Sequence, residues 1–248
     1  MEGVNENNII KNCKTLIKAY QDKKLGYMKM PEDTHPNFKS KEENLVYFTL
    51  PMALNYQRNS YKLWESCLET HKNNNKIFSI KTGANIKEED LRKILTQYKI
   101  ALQPNKHIKT WMTISQTIYE NWGSIENLLK YCDGDFLKLQ NTIQKDYKKG
   151  FPYLSGPKIF HYWSYILGEY CDIKLKNREF IEIAPDTHIK QCSIKLGVII
   201  EKEADKISSE QISSRWREIL KGSGISPIDM HSPLWFWSRN NFEFKLKT

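Results

Sequence analysis

The sequence lacks the features by which secreted and membrane proteins are usually recognised. It has no apolar run long enough to cross a membrane, and its first thirty residues contain no hydrophobic signal-peptide core. Its five cysteines lie far apart, and no two of them form a C-x-x-C pair. This pattern offers no zinc-ribbon, iron–sulfur or redox motif and is typical of a reducing compartment. We therefore expect an intracellular protein with no membrane association, no metal site and no cofactor.

Acidic residues are fewer than basic residues. The 248 residues include 38 Lys and Arg against 29 Asp and Glu, which gives a net charge of +9 and a pI near 9.1. A basic chain favours a polyanionic partner, and nucleic acid more than a membrane surface. A genome rich in lysine and asparagine codons would produce the same excess without a function. Charge alone leaves both explanations open.

The sequence also has little of the alternating pattern of β-strands, and its apolar residues recur mostly at helical spacing. The predicted helices cover 6–21, 86–97, 108–122, 125–131 and 136–147, and others begin at Leu50, near Trp64, at Pro157, at Pro185, after Ser208 and near 229. Irregular segments are expected at 22–44, 71–76 and 173–184, the last with a short extended piece at 180–183. The length allows one or two compact domains. The predicted fold class is all-α.

A hairpin containing glycine and proline joins two predicted helices at Gly150–Lys158, with the sequence GFPYLSGPK. A tight hairpin of this kind exposes backbone N–H groups at the start of its second helix, where they and the helix dipole suit a phosphate. Lys158 falls in the first turn of that helix. A Gly-Pro pair is also common before an amphipathic helix that binds nothing. The hairpin alone therefore does not decide between a phosphate-binding role and a purely structural one.

Asp186 precedes a further amphipathic helix in the sequence Ala-Pro-Asp-Thr-His-Ile. The position is that of an N-cap, whose side chain accepts a backbone N–H two or three residues on. If such a carboxylate also faces a cleft, it can stabilise a developing cation or accept a proton. An ordinary cap gives the same pattern.

Together these motifs resemble those of the HhH-GPD superfamily of base-excision DNA glycosylases, in particular its endonuclease III-like members. Gly156-Pro157-Lys158 resembles the glycine-x-lysine of the family hairpin, whose lysine is the Schiff-base nucleophile of bifunctional members. Asp186-Thr187-His188-Ile189 resembles the Asp-Thr-His-Val/Ile motif, whose Asp is catalytic. The resemblance covers about 50–242 and is strongest over 150–197.

Two weaker matches flank this region. Residues 54–60 resemble the Leu-Ser-Ala-Gln-x-x-Asp motif, whose Gln enters the gap left by a flipped base, and this assigns that role to Gln57. Residues 229–239 resemble the segment before the family's iron–sulfur loop, and no cluster cysteines follow, so a cluster-free member is expected. Leu154 stands where the family hairpin has its first glycine, which predicts a distorted hairpin, and 173–183 resembles an insertion.

The resemblance implies a two-lobed helical fold, with a six-helix-barrel lobe at 50–170 that carries the helix-hairpin-helix at about 136–168. The other lobe combines 1–49 with 171–248, and the site lies in the cleft between them. The implied protein is a monomeric DNA N-glycosylase with AP-lyase activity, with Lys158 and Asp186 catalytic. Its partner is double-stranded DNA with a damaged, plausibly oxidised base or an abasic site.

Further roles follow from the same resemblance. DNA contacts are expected from Ser155, Gly156, Gln57, Arg58 and Lys190, with Lys148 and Lys149 as further candidate phosphate contacts, and the extruded base is expected to stack on Trp235 and Trp237. His188 is expected to be structural. Two alternatives stay open: a non-catalytic duplex-binding module, and an N-glycosidase acting on RNA or modified nucleosides. The identity of the excised base is also open.

Overall fold

The computed structural model describes residues 6–246, and all of the regular secondary structure in that range is helical. The α-helices are α1 Glu6–Gln21, α2 Lys41–Thr49, α3 Ser60–Asn74, α4 Ile80–Asn85, α5 Glu88–Gln97, α6 Pro104–Asn121, α7 Ile125–Tyr131, α8 Phe136–Asn141, α9 Pro157–Cys171, α10 Thr187–Lys195, α11 Ser209–Leu220 and α12 His231–Arg239. Between them lie short 3-10 turns, and a π-helical turn, Thr142–Asp146, follows α8. The all-α prediction is confirmed.

Side-chain caps explain where many of these helices begin. Ser124 accepts the N–H of Asn127 at the start of α7, and Ser208 forms a capping box with Gln211 at the start of α11. Equivalent caps are made by Ser40, Asn59, Ser79, Asp135 and Asp186. The starts of α7 and α11 were predicted from the same residues, because a cap is a local signal.

The chain folds into two compact units. One unit joins the N-terminal segment through Lys29 to the C-terminal segment from Arg178, and the other, which we call the central unit, is Met30–Asn177. The resemblance instead implied that 30–49 and 171–177 belong to the lobe that contains the chain ends. These residues belong to the central unit because α2 packs on α7 and α9 and buries the run Leu45–Thr49.

The central unit has a core rich in aromatic side chains. Trp64 on α3, Trp111 on α6 and Trp163 on α9 are fully buried. Trp163 donates its indole N–H to Thr49 Oγ1 at 3.0 Å, which ties α9 to the end of α2. Helices α4 and α6 pack closely at Gly83, where an added Cβ would lie 2.4 Å from Ser115 Oγ. This contact explains why a glycine is required within α4.

The unit formed by the chain ends is built from α1, α10, α11 and α12. Trp216 on α11 is fully buried and donates to Ser193 Oγ on α10 at 2.8 Å. The thiol of Cys192 donates to the carbonyl of Leu234 at 3.1 Å, which connects α10 with α12. The unit therefore fixes α10, the helix that Asp186 caps.

Three sequence predictions of local structure are wrong. The helix expected from Leu50 is only a 3-10 turn at Met52–Leu54 followed by a bend, and the expected loop at 71–76 is mostly the end of α3. The helix α3 continues through His71, which is half-buried and pairs with Glu43, its Nε2 lying 2.9 Å from Oε1. Extended structure at 180–183 is replaced by a 3-10 turn, Arg178–Phe180, with an irregular segment after it.

Candidate functional site

The predicted hairpin is present between the π-helical turn and α9, and it is closed by its own backbone. The N–H of Ser155 donates to the carbonyl of Phe151 at 2.9 Å, and the N–H of Gly156 donates to that of Tyr153 at 3.0 Å. The side chain of Gln144 donates to the carbonyl of Ser155 at 3.2 Å. The N–H groups of Ser155 and Gly156, two residues expected to contact DNA, are therefore bonded within the hairpin itself.

Packing fixes the hairpin on the central unit. Phe151 and Leu154 are fully buried. Gly150 lies against α6, and an added Cβ would be 2.5 Å from Thr117 Cγ2. The left-handed residue of the loop is Tyr153, with φ of +60°, one position before the leucine that replaces the family glycine. Leu154 thus packs in the core, and the left-handed backbone conformation is adopted by its neighbour Tyr153.

The start of α9 is open to a ligand. Gly156 is its N-cap and has no side chain to cap it, and Pro157 has no N–H. Within residues 6–246, the N–H groups of Lys158 and Ile159 donate to no acceptor. Lys158 itself is exposed. The free donors therefore lie at 158 and 159, at the start of the second helix of the hairpin.

The hairpin and its flanks are strongly basic. Lys148, Lys149 and Lys158 are all exposed. No Asp or Glu occurs between Tyr147 and Gly168. A surface of this composition attracts phosphate groups electrostatically.

The segment that contains Gln57 lies beside the hairpin. Gln57 is exposed and has φ of +49°, so the chain turns sharply here. The ring of Tyr56 lies 5.8 Å from the ring of Tyr153, measured between centroids, with 34° between the ring planes. The structure therefore brings together two motifs that are about a hundred residues apart in the sequence. No local sequence signal indicated this pairing of tyrosines.

Arg58 makes hydrogen bonds within the central unit, and its contact with DNA stays a prediction. Its Nη1 donates to the carbonyl of Ile100 at 2.5 Å and its Nη2 to that of Lys99 at 3.1 Å. Its Nε is buried, and burial lowers the pKa of the guanidinium. The side chain attaches the Gln57 bend to the segment after α5.

Asp186 is the N-cap of α10, as predicted. Its Oδ1 accepts the N–H of Ile189 at 2.9 Å, and Asp186 is half-buried. Its Oδ2 accepts no hydrogen bond from the described part of the chain. The cap fixes the carboxylate while one oxygen stays available. Asp186 and Lys158 belong to different units of the chain.

Contacts with α12 hold His188 beside this cap. The hydroxyl of Ser238 lies 2.7 Å from Gln191 Oε1, to which it donates, and 3.0 Å from Nδ1 of His188. Because the hydroxyl has one proton, the histidine must carry its proton on Nδ1 and donate to it. The ring of His188 meets that of Trp235 edge to face at 5.6 Å. These contacts fit the structural role predicted for His188.

The two C-terminal tryptophans differ. Trp237 is buried, and its indole N–H donates to the carbonyl of Phe244 at 2.8 Å, so its ring is packed within the protein and not presented at the surface. Trp235 is half-buried between His188 and the guanidinium of Arg239, which lies 4.8 Å from its ring. Lys190 is also half-buried, with Nζ 3.8 Å from the exposed carboxylate of Asp205.

Sequence reasoning missed one buried acid in the central unit. Glu32 is fully buried, accepts the indole N–H of Trp64 at 2.9 Å and is hydrogen-bonded by the hydroxyl of Tyr162. Burial raises the pKa of Glu32 to about 7. Tyr162 lies one turn beyond Lys158 on α9. The surrounding segment was predicted to be irregular, so nothing in the sequence pattern indicated that an acid there would be buried.

Neither a membrane-spanning helix, a metal site nor a similarity to known proteins assigns a function to the described residues. Over residues 6–246, no helix is long and apolar enough to cross a membrane, and no three His, Cys, Asp or Glu side chains are grouped to bind a metal. All five cysteines are buried free thiols. No protein-family model matches the sequence, and no curated protein matches it either.

Proposed function

We propose that the protein is a monomeric intracellular DNA N-glycosylase of the HhH-GPD type with associated AP-lyase activity. The observation that carries this proposal is the arrangement at the hairpin: an uncapped start of α9, an exposed Lys158 in its first turn, and the Gln57 bend alongside. The substrate is double-stranded DNA that contains an oxidised base or an abasic site.

In this proposal Lys158 is the nucleophile. Its amine attacks C1′ of the sugar, the bond from C1′ to the base breaks, and the base leaves with the bonding electrons and takes up a proton. The amine and the opened sugar then form a Schiff base, and loss of a proton from C2′ expels the 3′ phosphate by β-elimination. The attacking amine must be neutral, whereas a free lysine has a pKa near 10.4.

Asp186 is the electrostatic partner in the same proposal. Breaking the glycosidic bond builds positive charge on the sugar, and a fixed carboxylate stabilises that charge. The hydrogen bond from Ile189 to Oδ1 holds the carboxylate in one orientation. Its second oxygen is the one assigned to the sugar. The target base has to leave the duplex to be cleaved, which costs a few kcal/mol and least for a damaged base.

Borohydride trapping tests this function directly. The full chain is incubated with labelled duplexes that contain an abasic site, 8-oxoguanine or an oxidised pyrimidine, and covalent adducts are separated on a denaturing gel. We expect an adduct that Lys158→Ala abolishes and that Lys72→Ala, an exposed lysine on α3 outside the proposed site, retains. An adduct that persists in Lys158→Ala would remove the assignment of the nucleophile.

A non-catalytic duplex-binding module is the second candidate. It is favoured by the fact that both proposed catalytic residues have a sufficient role without chemistry, Lys158 as an exposed cation and Asp186 as a helix cap. That candidate predicts binding that weakens steeply with salt and no adduct on any of the duplexes.

A further inference from the structure

We propose that residues 23–29, which we call the Tyr27 loop, bind the phosphodiester backbone of duplex DNA. In this contact the hydroxyl of Tyr27 donates to a phosphate and Lys23 adds an ionic contact. The inference rests on the proposed function in one respect, that duplex DNA is the partner. It assigns a contact with the DNA backbone to the N-terminal segment, where the sequence motifs predict none.

The exposure of Tyr27 is the first argument. Tyr27 is 70% exposed, the largest fraction among the protruding large hydrophobic and aromatic residues of the described range 6–246. Leu25 and Met30, on either side of it, are buried. Burial of apolar surface is the ordinary reason for an aromatic residue, and it does not account for Tyr27. The side chain therefore protrudes between two buried neighbours and is available to a partner.

A clamp made by the residue after α12 is the second argument. The side chain of Asn240 donates to the carbonyl of Leu25 at 2.6 Å and accepts the N–H of Tyr27 at 3.2 Å. Gly26 has φ of +88°, and an added Cβ would lie 2.6 Å from Asn240 Cγ, so only glycine fits there. These contacts fix the backbone and leave the ring of Tyr27 exposed. A loop held in this way loses little conformational freedom on binding, which favours recognition.

The charge of the loop identifies the partner as a polyanion. Residues 23–29 have the sequence KKLGYMK, which contains no Asp or Glu, and all three lysines are exposed. Lys24 pairs with the exposed Asp22 at 3.0 Å. A surface ion pair of this kind contributes little, so it does not prevent Lys24 from contacting a phosphate.

The turn that begins at Asn240 adds further positive charge beside the loop. Lys245 is exposed in that turn, and Lys195 lies 4.9 Å from the ring of Phe242 in the same turn. The turn contains one acid, Glu243. The cations of the loop and the turn therefore outnumber the acids, as expected for a surface that binds phosphates.

The chemistry of duplex DNA assigns the contact to the hydroxyl of Tyr27. Paired bases are stacked and offer no free face to a ring, whereas the phosphates on the outside of the helix accept hydrogen bonds from tyrosine and lysine side chains. Such contacts hold a protein on the duplex without reading its sequence. The Tyr27 loop is therefore expected to contribute equally to the binding of intact and damaged duplexes.

The test measures affinity of the full chain by fluorescence anisotropy for an intact duplex and for one with a tetrahydrofuran analogue of an abasic site. Tyr27→Phe removes only the hydroxyl, and we expect it to weaken binding of both duplexes by about two- to tenfold, the range for one hydrogen bond. Its salt dependence should stay as in the wild type. Lys23→Ala should also weaken both complexes and reduce the salt slope by about one unit.

Matched variants separate the contact from folding and from exposure as such. Phe180→Ala removes a ring that is 46% exposed in the same unit but next to Glu179, and it should leave both affinities unchanged. Asn240→Ala removes the clamp and no charge, so it should weaken binding without changing the salt slope. Urea denaturation confirms that the variants are folded, and Tyr27→Phe, at an exposed ring, keeps the test decisive if Asn240→Ala is unstable.

Three results overturn the loop contact while leaving the proposed function in place. The first is a Tyr27→Phe variant that binds both duplexes like the wild type although borohydride adducts form normally. The second is a loss of affinity confined to the abasic duplex. The third is a dimer in sedimentation velocity that depends on Tyr27, with duplex affinity unchanged in Tyr27→Phe, which would assign the loop to a second copy of the chain. Absence of any duplex binding by the wild type would remove the loop contact and the proposed function together.

Discussion

At the scale of single residues, Asp186 combines two roles that a pair of substitutions can separate. Asn accepts a capping hydrogen bond about as well as Asp, whereas Ala does not, and loss of a cap costs about 1 kcal/mol. We expect Asp186→Asn to keep the wild-type free energy of unfolding and to lose base excision. Asp186→Ala should lose base excision as well, and its free energy of unfolding should fall by about 1 kcal/mol. Urea denaturation and a single-turnover excision assay measure the two effects, and normal excision by the Asn variant would leave the residue as a cap only.

Glu32 gives the molecule a predictable dependence on pH. Its pKa is raised to about 7 in the folded state by burial, above the ordinary value of 4.5. The folded state therefore favours the protonated carboxyl. This contribution to stability is fully present below pH 4.5 and is lost as the pH rises through 7.

The substitution Glu32→Gln tests this contribution. The glutamine stays neutral, so its free energy of unfolding relative to wild type should rise by about 2 kcal/mol between pH 5 and pH 8. Glu65→Gln, at an exposed ion pair with Lys62, is the control and should show little change. A difference between Glu32→Gln and wild type that does not vary with pH would contradict a buried titrating carboxyl.

At the scale of secondary-structure elements, the sequence predicted what depends on neighbours in the chain. The starts of α7, α10 and α11 follow from Ser124, Asp186 and Ser208, because each cap acts over three residues. The bend at 55–59 was mistaken for helix because its conformation depends on a distant contact. Arg58 reaches the carbonyls of Lys99 and Ile100, about forty residues away, and no local pattern shows this.

The role of Arg58 as an attachment between elements leads to a prediction opposite to that for a DNA contact. Arg58→Ala removes two hydrogen bonds to backbone carbonyls, so we expect a loss of about 1–3 kcal/mol in the free energy of unfolding. The salt dependence of DNA binding should stay as in the wild type. Denaturation and anisotropy titrations check both, and a stable variant whose binding depends less on salt would restore the phosphate contact.

At the scale of the whole molecule, the sequence predicted the helical class and the presence of two parts but not their boundary. The run Leu45–Thr49 is buried on every side, so it shows no helical periodicity from which a face could be assigned. Its membership in the central unit is decided by packing against α7 and α9. The candidate site was likewise predicted in part, since the motifs mark the hairpin while only tertiary contacts place Tyr56 next to Tyr153.

The net charge of +9 contributes to DNA binding at the proposed site only if the lysines at the hairpin contact the duplex. Each phosphate contact releases counterions, so the logarithm of the duplex affinity falls linearly with the logarithm of the salt concentration, with a slope of about −0.9 per contact. Lys148→Ala and Lys149→Ala should each reduce the slope by about one unit, for intact and damaged duplexes alike. Lys72→Ala, an exposed lysine on α3 near Glu69, is the control and should leave the slope unchanged. Equal slopes in all three variants would show that the basic excess is spread over the surface and that the hairpin has no special part in holding DNA.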